Sequence, residues 1–311
     1  MFALRGIAVS LAFFVLLYCL LSALVAVAWR TLHVLRVREK SLADLFFALR
    51  VFPLVASVVI TFAFVVPSFD LLEPRAIDEG MGSTPLALGI CALLLIACGC
   101  FRVITAQTKT SRVVARWLEG ARPMDAGAQT VTFRSRREAP PLTLVGVRKP
   151  RVLVSESTVA LLSDDELHIA LKHELAHMQS RDNLKKLVFR FCPFPGMAKL
   201  ESAWSQAAEL AADDAAVSKL DDAVDLAAAL VKLSRLVPVE AAPVCTVGFV
   251  TGSISARVTR LLAWDETGKA NQRRNGLWYV IPPVLVTLLC VCATYGPALA
   301  LTHEVTEWLV R

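Results

Sequence analysis

The sequence predicts a membrane protein with four transmembrane helices and one soluble α+β domain inserted between the third and the fourth. Three observations carry that reading. The chain is 56 % hydrophobic and only 19 % charged over 311 residues, with a mean hydropathy of +0.57, which is too apolar for an ordinary soluble domain. Its apolar residues gather into four runs long enough to cross a hydrocarbon core of about 30 Å. Between the last two runs lies a segment of mixed polarity, residues 107–275, of the size of a single domain.

The first span, Gly6–Trp29, is uninterrupted. Ala26-Val27-Ala28 imitates the small-residue end of a secretory signal, but the apolar run is too long for one, and Arg30, Arg36, Arg38, Lys40 and Arg50 follow at once. The span is therefore expected to stay uncleaved. Val51–Phe69 forms the second, with Pro53 and Pro67 near its ends, and Pro85–Thr105 the third. Leu277–Leu301 is the fourth, softened by Pro282, Pro283 and Pro297. Loop 70–84 carries Asp70, Glu73, Asp78 and Glu79 against Arg75 alone, whereas Arg102, Lys109, Arg112 and Arg116 follow the third span and Lys269, Arg273 and Arg274 precede the fourth. Basic loops stay in the cytoplasm. Both termini are thus expected outside a bacterial inner membrane, with the domain inside.

The expected organisation is 1–106 with three spans, 107–275 soluble, and 276–311 with the fourth span and a short outer tail. The net charge of +6 is accounted for by the orientation signals and implies no direct binding of nucleic acid. Cys19, Cys91, Cys98, Cys100, Cys290 and Cys292 fall in apolar runs, which leaves no disulfide framework or cysteine-based metal site. His303 in the tail reads as a solvated interfacial histidine.

Within the soluble segment, Thr130–Phe133 and Leu142–Val147 are strand candidates, and Arg151–Ser155 answers the latter across a turn at Arg148-Lys149-Pro150. Ser163-Asp164-Asp165-Glu166 is a capping box, opening a helix expected from Asp164 to about Leu187. Pro193 and Pro195 break the chain, and further helices are expected over about 198–220 and 222–236. A stretch around Gly248, Gly252 and Ser253–Ser255 reads as flexible.

The first of these helices carries the chemistry: His173-Glu174-Leu175-Ala176-His177. Residues four apart lie on one helical face, so two imidazoles at this spacing can grip one zinc ion from the same side. Glu174 is rotated by about 100°, beside the ion's open position, where a carboxylate can take a proton from water and pass it to a leaving amine. Such a zinc ion wants a third protein ligand. Ser180 and Asn183 stand where a metzincin needs glycine and histidine, which leaves a carboxylate from another helix. Glu209, amid the alanines of the following helix, is the best candidate, with Glu201, Asp182 and Asp214 as rivals. Asp213, one turn beyond Glu209, is placed to accept the outer N–H of a ligating histidine.

The runs PRVLVSESTVALLSDDELHIALKHELAHMQSRDN and CPFPGMAKLESAWSQAAELAADDAAV closely resemble the BlaR/MecR-type membrane metallopeptidases, the antirepressor-type signal transducers. The resemblance covers about residues 1–300 in architecture and is motif-specific over roughly 145–220. It implies a gluzincin (zincin-type) fold for the soluble domain, with zinc held by His173, His177 and Glu209 and with Glu174 as general base. It also implies a protein substrate, commonly a cytoplasmic transcriptional repressor of the winged-helix kind, sometimes with self-cleavage. Sensor members carry a penicillin-binding domain after the fourth span, whereas only LTHEVTEWLVR follows here. Any stimulus is therefore expected to reach the chain through its spans, its outer loop or a separate sensor partner. Two other readings compete: a quality-control or processing protease of the HtpX or CAAX type, and a non-catalytic signalling scaffold with a structural metal site, against which an intact Glu174 argues.

Overall fold

The computed structural model describes residues 2–32, 39–73, 82–124, 132–135, 140–236, 246–248, 254–264 and 294–308. The chain divides into two compact units, one of Met1–His33, Val51–Cys98 and Asn271–Arg311, the other of Val34–Arg50 and Gly99–Ala270.

The first unit is helical. Its elements are α1 (Phe2–Leu32), the second half of α2 (Glu39–Ile60) from Val51 on, a π-helical turn at Thr61–Val65, α3 (Val66–Leu72) and the start of α4 (Ser83–Leu118). Among the described residues, three helical stretches are long and apolar enough to cross a membrane: Phe2–Trp29, Ser41–Leu72 and Ser83–Leu118. They contain the first three expected spans. Leu20, Phe62 and Leu94 on them are exposed, as apolar side chains are where helices face hydrocarbon. The fourth expected span lies outside the described residues over 277–293, and 294–308 form a final helix. Tyr295 on that helix donates its hydroxyl to the Ala63 carbonyl of the π-helical turn at 2.8 Å. His303 differs from the solvated histidine expected: it is largely covered, 3.9 Å from Glu73 and 3.6 Å from Glu307.

The second unit is built on a five-stranded sheet of order β1-β2-β4-β3-β5, comprising β1 (Arg122–Met124), β2 (Thr132–Ser135), β3 (Leu142–Val145), β4 (Arg151–Ser155) and β5 (Thr246–Gly248). The expected hairpin is present, with Leu142 opposite Val154 and Val145 opposite Arg151. Gly146 makes its turn at φ +90°, where a Cβ would stand 2.8 Å from the Lys149 carbonyl oxygen, so glycine is required there. β2 pairs with β4 in parallel, and all other pairings are antiparallel. The hairpin has no free edge. β4 is flanked by β2, and β3 by β5.

The helices cover one another and the sheet. Ser155 caps the short α5 (Glu156–Leu161) by accepting from the Thr158 amide. The capping box starts α6 (Asp164–Gln179), where Glu166 N donates to Ser163 Oγ at 3.2 Å and Ser163 N to Glu166 Oε2 at 2.9 Å. Leu144, Val152 and Val154 of the hairpin share one core with Ile169 of α6 and Leu226 and Leu230 of α9 (Leu220–Ser234).

The single long helix expected over 164–187 is two. Arg181 adopts the left-handed conformation, φ 55°, which ends α6, and the chain restarts as α7 (Asp182–Phe191). A non-glycine residue is held there against a cost of roughly 1–2 kcal/mol. The turn has a structural return: Asn183 donates to the carbonyls of Leu144 at 3.2 Å and Gly146 at 3.0 Å, tying α7 to the end of β3. α8 (Ala198–Ala216) and α10 (Ile254–Leu262) complete the unit, the latter in place of part of the flexible stretch expected.

Candidate metal centre

The local rules that shape α6 and α8 decide what faces what. On α6 the buried positions Ile169, Ala170, His173, Ala176 and His177 recur at helical spacing, so both histidines turn inward. α8 meets α6 with a face of small residues, Ala208 and Ala212, around Glu209 and Asp213. Small side chains let the two helices approach closely, and the carboxylates reach the imidazoles.

His173 Nε2 and His177 Nε2 stand 3.1 Å apart. Glu209 lies across both, with Oε1 3.7 Å from His177 Nε2 and Oε2 3.7 Å from His173 Nε2. All three side chains are buried, and one ligand atom from each lies within 4.8 Å of the other two. Each imidazole turns its outer nitrogen to a carboxylate: His173 Nδ1 is 3.0 Å from Asp213 Oδ1, and His177 Nδ1 is 2.7 Å from Asp182 Oδ2. A carboxylate on Nδ1 fixes the tautomer and leaves the Nε2 lone pair facing inward.

The donor set fits zinc. Ligands at 2.0–2.2 Å on a tetrahedron stand roughly 3.3–3.6 Å apart, and the separations of 3.1 and 3.7 Å lie close on either side of that range. The electrostatics point the same way. Burial pulls the His173 imidazole down, yet Asp213 and Glu209 push it up to about 9. The surroundings thus favour a positive charge between the rings. Burial would raise the Asp213 carboxyl, but His173 and Arg257 hold it at about 2. The Glu209 carboxyl is likewise lowered in spite of its burial, by His177, His173 and Arg257.

Glu174 is wholly buried, and neither carboxylate oxygen makes a hydrogen bond of ordinary geometry among the described residues. Burial raises its carboxyl to about 7, although the two histidines draw it downward. The backbone at Leu144 draws it downward as well, while the neighbouring Glu209 adds to the rise.

The rival carboxylates are engaged elsewhere. Glu201 binds Arg50 at 2.9 Å, and that arginine also donates to the carbonyls of Phe189 and Cys192. Asp214 binds Arg260 at 2.6 Å. Asp182, considered in the sequence as a rival ligand, sits instead on the outer nitrogen of His177, a role its place five residues after that histidine did not by itself reveal. Arg257 of α10 was not anticipated. It is buried, and it contacts both Asp213 and Glu209.

A mixed sheet carrying an H-E-x-x-H helix, a second helix supplying a carboxylate, and apolar helices able to cross a membrane together define a membrane-associated peptidase class. The family model described as BlaR1 peptidase M56 matches residues 90–261, more than half of the chain, and the chain belongs to that family. Comparison with curated proteins returned no match.

Proposed function

We propose that the chain is a membrane-anchored zinc endopeptidase that cleaves a regulatory protein, a winged-helix repressor being the substrate class implied by the family resemblance. The observation that carries the proposal is the convergence of His173, His177 and Glu209 beside a buried Glu174. His173, His177 and Glu209 would hold the ion. When bound, zinc polarises a carbonyl oxygen and makes water acidic near neutral pH. Glu174 accepts the proton of the attacking water and returns it to the departing amine nitrogen. Asp213 and Asp182 keep the two imidazoles in the ligating tautomer, and the burial of the site keeps bulk water from competing with the substrate.

Purified full-length chain in detergent is expected to take up one zinc ion after stripping and reloading, and Glu209→Ala to lose it. Elemental analysis reads the result. Full zinc retention in Glu209→Ala, with loss in Asp182→Ala instead, would show that the ligand set is wrongly drawn.

The catalytic unit faces the cytoplasm in this proposal, because basic residues flank the spans on that side. In a chain freed of its native cysteines, one placed at the exposed Ser218 should resist a membrane-impermeant thiol reagent in intact cells. One placed at Gly80 should react. The opposite pattern would remove cytoplasmic regulators from the substrates.

A further inference from the structure

We propose that Arg257 is a positioning residue of the metal centre, a guanidinium clamp that fixes the carboxylate of Glu209 and, through Asp213, the ring of His173. The inference rests on the zinc reading above and goes beyond its ligand set.

The geometry is that of a fork closed on two acids. Arg257 Nε donates to Asp213 Oδ2 at 2.8 Å and Nη2 to Asp213 Oδ1 at 2.6 Å, while Nη1 donates to Glu209 Oε2 at 2.9 Å. Glu209 and Asp213 are one turn apart on α8, so their carboxylates face the same way. Both are buried, at 3 % and 0 % exposure, and so is Arg257, at 3 %. Two neighbouring carboxylates removed from water repel each other, and each requires partners. A planar guanidinium meets both at once, which the single point charge of a lysine ammonium cannot do.

The clamp has a directional consequence. Asp213 Oδ1, held by Nη2, is the same oxygen that stands 3.0 Å from His173 Nδ1. Glu209 Oε2, held by Nη1, is 3.7 Å from His173 Nε2, while Oε1 faces His177. One side chain from α10 therefore sets the rotation of a ligating carboxylate and the orientation of a ligating imidazole. Partners of this kind typically change metal affinity by about 10- to 100-fold.

The same two helices supply an internal control. Arg260, one turn on along α10, donates to Asp214 at 2.6 Å and to the Leu210 carbonyl at 3.4 Å. It also fastens α10 to α8, but it makes neither of the contacts to Glu209 and Asp213 described for Arg257. A role limited to docking α10 would be shared by both arginines.

The test is zinc affinity of the full-length chain in detergent, by competition with a chromophoric chelator, in Arg257→Gln, Arg257→Lys and Arg260→Gln. The expected dissociation constant rises about 10- to 100-fold in Arg257→Gln, rises less in Arg257→Lys, and stays at the wild-type value in Arg260→Gln. The visible spectrum of the cobalt-substituted protein should change in the Arg257 variants and not in Arg260→Gln. Should Arg257→Gln fail to fold, Arg257→Lys decides: weakened binding with an altered cobalt spectrum supports the clamp. Wild-type affinity and spectrum in the folded Arg257 variants, or an equal loss in Arg260→Gln, would overturn it. A wild-type chain that takes up no zinc would instead overturn the metal reading itself.

Discussion

Replacing Glu174 with glutamine is expected to reduce peptide-bond cleavage by about 10²- to 10⁴-fold while leaving zinc content and folding unchanged. Glutamine keeps the shape of the side chain but cannot accept a proton from water. The substitution should be unusually clean, because the carboxylate oxygens of Glu174 make no hydrogen bond of ordinary geometry among the described residues. Burial already favours its uncharged form, raising the carboxyl to about 7, so a neutral amide costs the fold little. Cleavage of an unstructured protein such as casein by the zinc-loaded full-length variant is the measurement. Wild-type turnover in Glu174→Gln would remove the general-base mechanism, whereas loss of zinc along with activity would mean that the variant does not isolate the chemical step.

The second large effect is expected at Asp213, on stability and metal affinity together. Asp213→Ala deprives a buried guanidinium of its two-point partner and a buried imidazole of its outer contact. Breaking a buried ion pair from one side costs about 3–5 kcal/mol, and in a domain of this size each 1 kcal/mol moves the melting temperature by about 2–4 °C. A fall on the order of 10 °C in apparent melting temperature therefore follows. Zinc affinity should drop about 10- to 100-fold. Asp213→Asn, which keeps an acceptor oxygen, should lose less on both counts. Intrinsic fluorescence, reporting on the buried Trp204, follows the melt. An Asp213→Ala protein that melts within 2 °C of wild type (about 1 kcal/mol or less) and binds zinc equally well would show that the carboxylate is dispensable.

What could be read from the chain alone was whatever repeats at a short, fixed interval. The histidine pair declares itself because four residues of helix make one face, and Glu209 and Asp213 by their place on the next helix. The hairpin was legible because the turn residues Arg148-Lys149-Pro150 separate two short β-forming runs, Leu142–Val147 and Arg151–Ser155. Asp182 was visible as an acid near the motif, but its role depends on the left-handed turn at Arg181, and nothing in the surrounding letters marks a non-glycine residue for that conformation. Arg257 was illegible for a different reason. It comes from a short helix 48 residues after Glu209, and it is one of 33 basic residues with nothing local to set it apart. Only tertiary closure singles it out. β1 and β5, each three residues long, carry too little alternation to be recognised, so the parallel pairing of β2 with β4 and the covered flank of β3 were beyond reach.

The π-helical turn at Thr61–Val65 amounts to one residue more than an α-helix would use over the same rise. An extra residue turns everything after it by about 100°, so the second spanning stretch is two helical wheels with different origins laid end to end. Hydrophobic periodicity counted straight through Ser41–Leu72 falls out of phase at that point, and homologous stretches with and without the extra residue would align only by opening a gap there. The feature behaves as a fixed phase offset. It lets Val66–Leu72 present a different set of side chains to its neighbours, and within it the Ala63 carbonyl accepts the Tyr295 hydroxyl at 2.8 Å.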